Sequence, residues 1–124
     1  MEVAGEVGLE DRLDDPVRTF SRGLTQRCSI ARALVHDPEI LLFDEPFSGL
    51  DPVAAATLHG ILHEAHGAGR TILMTSHDLR RGRELADRFL ILRAGRIVYD
   101  SPAADIGWEE LEALYDRLSR GKKR

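Results

Sequence analysis

Apolar residues recur along this chain at two kinds of spacing. Between Leu24 and Val35, the residues Leu24, Cys28, Ala31, Leu34 and Val35 fall three and four apart, which marks one face of a helix that Asp37-Pro38 then stops. The block Ile40-Leu41-Leu42-Phe43 does not alternate and is too short for a helix, so it reads as a strand buried on both faces, ending in Asp44-Glu45. Asp51-Pro52 pairs an N-cap acid with a proline in the first helical position and predicts a helix to about His66, its apolar stripe Ala54, Leu58, Ile61, Leu62 and Ala65, closed by Gly67-Ala68-Gly69. Thr71–Thr75 reads as a second buried strand and Ser76-His77-Asp78 as the loop after it. A short helix from Leu79 to Ala86 should lead to a third strand at Phe89–Leu92, then a turn at Arg93–Arg96 into Ile97–Tyr99. Ser101-Pro102 is another cap-and-proline helix start, and Leu111, Leu114, Tyr115 and Leu118 give the last helix its stripe.

Strands alternating with helices of this length imply crossover connections, hence an α/β fold with a parallel sheet flanked by helices. In such sheets ligands collect at the carboxyl ends of the strands, and here those ends carry Asp44, Glu45 and His77.

Composition narrows the function classes. The 124 residues amount to one domain or a piece of a larger one. With 43% hydrophobic and 31% charged residues they have the balance of a soluble globular protein, and no apolar run suits a membrane span. The first residues lack the basic-then-apolar pattern of a signal peptide, so a cytoplasmic location is expected. Cys28 is the single cysteine, which excludes an internal disulfide. A formal net charge of -4 speaks against a dedicated nucleic-acid binder, and only Arg120-Gly121-Lys122-Lys123-Arg124 is locally basic, as a solvated tail.

Two segments carry candidate chemistry. A strand that delivers two adjacent carboxylates can hold Mg²⁺ on a nucleotide's phosphates through water with one acid and orient a water with the other; on its own the same hexamer also suits a strand ending in solvated acids. Ser21-Arg22-Gly23 stands where a helix should begin, and exposed N–H groups at a helix start attract anions, though an ordinary serine cap would look the same. His59, His63 and His66 share a helix face and could ligate a metal, but a solvated face is the simpler reading. Trp108 reads as packing and Cys28 as inert core.

Taken in order, Ser21-Arg22-Gly23, Gln26-Arg27, Ala31-Arg32-Ala33-Leu34, the acid-tipped strand, Ser48-Gly49-Leu50-Asp51-Pro52 and Thr75-Ser76-His77-Asp78 resemble the second half of an ABC-type ATPase domain, from about Val7 to Val98. The resemblance implies a partial P-loop NTPase fold: residues 1–38 the end of the helical subdomain, 39–100 the core with Walker B, D-loop and H-loop, and 101–124 a C-terminal helix and basic tail. It also implies roles. Ser21, Arg22, Gly23 and Leu24 match the signature motif that caps the nucleotide held by a second such domain, although Arg22 stands for a glycine and Leu24 for a glutamine. Asp44 matches the Walker B acid on magnesium, through water, and Glu45 the catalytic carboxylate. Ser48, Gly49, Leu50 and Asp51 match the D-loop, and His77 the switch histidine at the γ-phosphate. The implied cofactors are ATP and Mg²⁺. The implied partners are a second ABC ATPase domain and transmembrane permease subunits at the inner face of the membrane, with no nucleic acid. The signature and D-loop look most like haem-exporter and related ATPases.

The Walker A pattern G-x-x-x-x-G-K-[ST] is absent, since Lys122 and Lys123 are the only lysines. By resemblance its strand belongs between Thr71–Thr75 and Phe89–Leu92, so the 124 residues should be marginal by themselves. Three functions follow: the ATP-hydrolysing subunit of a transporter; a non-catalytic remnant serving a partner's site; and the head piece of a DNA-repair or chromosome-maintenance ATPase, which the acidic balance and missing heptad arm disfavour.

Overall fold

The computed structural model describes residues 2–120, so the basic tail from Gly121 onward lies outside the described residues. The order is α1 (Glu2–Glu6), α2 (Arg22–Leu34), β1 (Ile40–Asp44), α3 (Pro52–Gly67), β2 (Thr71–Thr75), α4 (Leu79–Leu85), β3 (Arg88–Arg93), β4 (Arg96–Pro102) and α5 (Trp108–Arg120). The chain forms two compact units that divide after His77.

In the first unit β1 and β2 run parallel, in register from Ile40 opposite Thr71 to Asp44 opposite Thr75, with α3 as the crossover between them. Local chemistry fixes both flanking helices. Ser21 Oγ accepts the Leu24 N–H at 3.3 Å to start α2, and Asp51 Oδ1 accepts the Ala54 N–H at 2.8 Å to start α3, with Pro52 first in the helix. α3 buries Ala55, Leu58, Ile61, Leu62 and Ala65, and α2 buries Ile30 and Leu34.

In the second unit β3 and β4 form an antiparallel hairpin, with an irregularity between Ile91 and Leu92. Its turn places Ala94 and Gly95 at φ 48° and 76°, the left-handed pair that matches the twist of a two-residue hairpin loop. Arg88 Nε donates to Asp100 Oδ1 across the ladder at 2.6 Å, which raises the pKa of the guanidinium. Phe89, Ile106 and Leu111 form the buried cluster of this unit, with Leu114 and Tyr99 against it.

Four sequence expectations change. β1 is not buried on both faces: Leu41 is buried while Ile40 and Leu42 are 62% and 72% exposed, and on β2 Leu73 is 53% exposed. Helices cover one face of the two-stranded sheet and, among the described residues, nothing covers the other. The buried stripe of α2 is offset from the predicted one: Ile30 is buried, Val35 is exposed and Cys28 only half-buried, so the thiol is not core. Gly23 and Arg27 line up with Ile30 and Leu34 on the packed side, because α2 meets α3 and the turn after α1 there. Finally, Ser101-Pro102 does not start a helix. Both residues end β4, opposite Phe89 and Arg88, where a proline without an N–H is tolerated, and α5 begins only at Trp108 after a 3₁₀ turn at Ala103–Asp105.

The open apolar face of the β1–β2 sheet should make the isolated chain self-associate, and replacing the facing pair Leu42 and Leu73 by Lys and Glu should reduce this in sedimentation velocity. A sharp, cooperative melt of a monomeric wild-type chain would count against that expectation. Ala94→Asn, a residue tolerant of left-handed backbone, should stabilise the hairpin by about 0.5–1 kcal/mol, read as a higher unfolding midpoint.

Candidate functional site

The parallel register brings the polar ends of β1 and β2 together. Asp44 lies opposite Thr75, and its Oδ1 accepts a 2.5 Å hydrogen bond from the Thr75 hydroxyl. The same hydroxyl oxygen accepts the Glu45 N–H at 3.0 Å. One side chain thus donates to one acid and accepts from the backbone of the next, which a hydroxyl can do and a methyl cannot. Glu45 itself sits at φ 48°, so the chain leaves the strand abruptly there and turns the second carboxylate away from the sheet direction. Its Oε2 lies 2.9 Å from Nδ1 of His77, the residue two beyond the end of β2.

Asp44, Glu45 and His77 were expected from the sequence at these strand ends; the structure ties Asp44 and the Glu45 N–H to Thr75, and His77 to the Glu45 carboxylate. Thr75 was not singled out. The signal available for it was its place two residues before His77 on the strand paired with the acid-tipped one. The His77 side chain is 75% exposed, against 35% for Glu45, so the imidazole edge remains open to solvent. With Nδ1–H donating to Glu45, Nε2 accepts in the neutral ring and donates in the protonated one. Asp44 and Glu45 supply the hard oxygen donors that Mg²⁺ takes one or two of while keeping its waters, so these residues fit that ion.

The remaining expected residues gather elsewhere in the same unit. Ser21, Arg22, Gly23, Gly49, Leu50 and Asp51 line a cleft of about 220 Å³ where α2 and α3 begin side by side. Leu24 and Ser48 are not part of its wall. The Leu24 N–H is committed to the Ser21 cap, and the Ser48 N–H donates to the Glu45 carbonyl at 3.0 Å, which joins this loop to the acid-bearing strand. Gly23 is a close-approach position, since a Cβ there would stand 2.9 Å from Cβ of Ala54. Arg22 is exposed, and its guanidinium lies where a Cβ of Gly49 would stand.

His59 and His63 stack with ring centroids 6.5 Å apart on α3. In the second unit Arg80 lies over the Trp108 ring at 5.7 Å, a cation–π contact.

Comparison with known proteins places the chain in a family. A family model described as ABC transporter matches residues 1–48. A fluoroquinolones export ATP-binding protein of Mycobacterium tuberculosis (strain ATCC 25618 / H37Rv) is 44% identical over 103 residues, covering 82% of this chain and 34% of that protein. The phosphonates import ATP-binding protein PhnC of Anaeromyxobacter dehalogenans (strain 2CP-C) is 39% identical over 114 residues, covering 92% of this chain and 23% of that protein. A solved ATP-binding subunit of an ABC transporter superposes with a TM-score of 0.78 at 32% identity, over 96% of this chain and 52% of that one. The chain spans about a third of the length of the first of these curated relatives and about a quarter of the second.

Because one hydroxyl bonds both the Asp44 carboxylate and the Glu45 N–H at an exposed strand end, Thr75→Val should cost about 0.5–1 kcal/mol, while Thr75→Ser should cost far less. Urea unfolding of the three chains checks this; equal midpoints for Val and wild type would remove Thr75 from the site.

Proposed function

This chain belongs to the ABC transporter ATP-binding proteins, and on that premise we propose that it supplies the water-activating and partner-facing parts of an ATP-hydrolysing subunit that energises a membrane transporter. The observation that carries the proposal is the chain of contacts at the ends of two parallel strands, in which Thr75 bonds the Asp44 carboxylate and the Glu45 N–H and the Glu45 carboxylate meets His77. Hydrolysis of a phosphoanhydride is mainly positioning and charge stabilisation, so a metal-holding acid, a water-orienting acid and a donor to the γ-phosphate are the parts it needs.

In this reading Asp44 would hold magnesium through water, and the ion would supply positive charge to offset that of the phosphates. Glu45 orients the attacking water. His77, held through Nδ1, presents Nε2 to the γ-phosphate and donates when the ring is protonated. The cleft residues Ser21, Arg22 and Gly23, with Leu24 next in the helix, act on a nucleotide held mainly by a second ABC ATPase domain, and Ser48–Asp51 lie at the boundary with that domain. That the two groups line different parts of the unit favours this division, because a sandwiched nucleotide needs acids from one domain and helix-start donors from the other.

Permease subunits would tether the assembly to the inner face of the membrane; no helix among the described residues is long and apolar enough to cross it. The relatives include exporters and importers by name, so the direction and the cargo lie with those subunits. A second reading, a half-site module without turnover of its own, is favoured by one observation: the sequence has no G-x-x-x-x-G-K-[ST] loop, so the cradle for the β- and γ-phosphates has to come from residues other than these 124.

The deciding experiment measures ATP binding and turnover at millimolar Mg²⁺ by the chain by itself and mixed with a complete ATPase domain. No binding by the chain itself with altered turnover in the mixture is expected; tight binding and hydrolysis by the lone chain would overturn the division of labour. Glu45→Gln introduced in a complete domain carrying this segment should lower turnover by about 10²-fold or more and accumulate the ATP-bound dimer in gel filtration. Turnover at the parent rate would remove Glu45 from its role.

A further inference from the structure

The two motifs that line the cleft hold each other through their glycines. Gly23, in the first turn of α2, accepts the side chain of Ala54 from the first turn of α3 so closely that a Cβ would stand 2.9 Å from it. In return Gly49, in the loop before α3, accepts the side chain of Arg22, whose Nε would stand 2.8 Å from a Cβ built there. Gly49 also sits at φ 69°, a backbone state that leaves its face bare for such a contact. Both sides of this interlock are anchored independently, α2 by the Ser21 cap and α3 by the Asp51 cap.

The loop's own amides bond within it: Ser48 N–H and Leu50 N–H donate to the Glu45 and Phe47 carbonyls at 3.0 and 3.3 Å. The planar, weakly hydrated guanidinium is suited to lie flat on exposed peptide, which a glycine at Arg22's position could not do and a lysine ammonium does poorly.

We propose that Arg22 is a positioning residue that clamps the Ser48–Asp51 loop to the start of α2, so that the two partner-facing segments move as one body. The functional consequence rests on the reading above that both segments face a second domain's nucleotide; the contact itself does not.

The test uses the intact chain and hydrogen exchange without nucleotide. Arg22→Ala should raise amide exchange across Ser48–Leu50 roughly fivefold while leaving the β3–β4 hairpin unchanged. Arg22→Lys, which keeps the charge but loses the plane, should behave as the alanine variant. Gly49→Ala should raise exchange more in the wild-type background than in Arg22→Ala, because only the former retains the group the methyl would strike. Unchanged exchange in Arg22→Ala, full rescue by lysine, or equal effects of Gly49→Ala in both backgrounds would each overturn the clamp. In the mixture with a complete ATPase domain, Arg22→Ala should change kcat with little change in KM. Raised exchange with kcat unmoved would keep the contact and refute the partner-facing reading it draws on.

Discussion

Parallel pairing of β1 with β2 is the constraint from which the site derives. Parallel strands bring residues of distant sequence side by side without bringing their connections together, and α3 spans the interval here. Asp44 faces Thr75 because Ile40 faces Thr71, and Glu45 turns out of the sheet where the ladder ends. The His77 imidazole reaches the Glu45 carboxylate because β2 stops two residues earlier. No residue of this group would meet another without that ladder.

The helices convert the same constraint into a second surface. Ser21 and Asp51 each accept an N–H of their own helix, which leaves the Ser21 O–H able to donate. What they provide is direction: two first turns aligned side by side, with glycines where the backbones meet. Helix starts held in this way direct unbonded N–H groups and positive dipole ends toward one side, a geometry suited to phosphate oxygens.

How much of this was legible depends on the range of the interaction. Caps are local, so Ser21 and Asp51-Pro52 could be read with their helices to within a residue or two. The acid-tipped strand and His77 were legible as a pattern of motifs. The apolar run of β1 was not legible in its burial, because an unbroken run of Ile, Leu and Phe does not say which face a helix will cover. Ser101-Pro102 carries a helix-start signature yet ends a strand, since Phe89 and Arg88 capture it in a ladder that no local reading contains. The bridging hydroxyl of Thr75 and the packing of Arg22, itself expected in the signature motif, were not legible for the same reason: the first acquires its role from Asp44, thirty-one residues away, and the second from Gly49 in another turn.

The Thr75 hydroxyl also solves a problem of alignment. β1 is apolar on both of its faces, so sliding it by one residue against β2 would exchange Leu41 and Phe43 for Ile40 and Leu42 with little change in hydrophobic content. Greasy contacts therefore choose the pairing of these strands only loosely. A shifted alignment, however, would strand the Asp44 oxygen and the Glu45 amide away from the hydroxyl that serves both. The polar end of the ladder thus acts as its index mark, and the residues that would handle phosphate also decide which of several near-equivalent sheets the chain adopts.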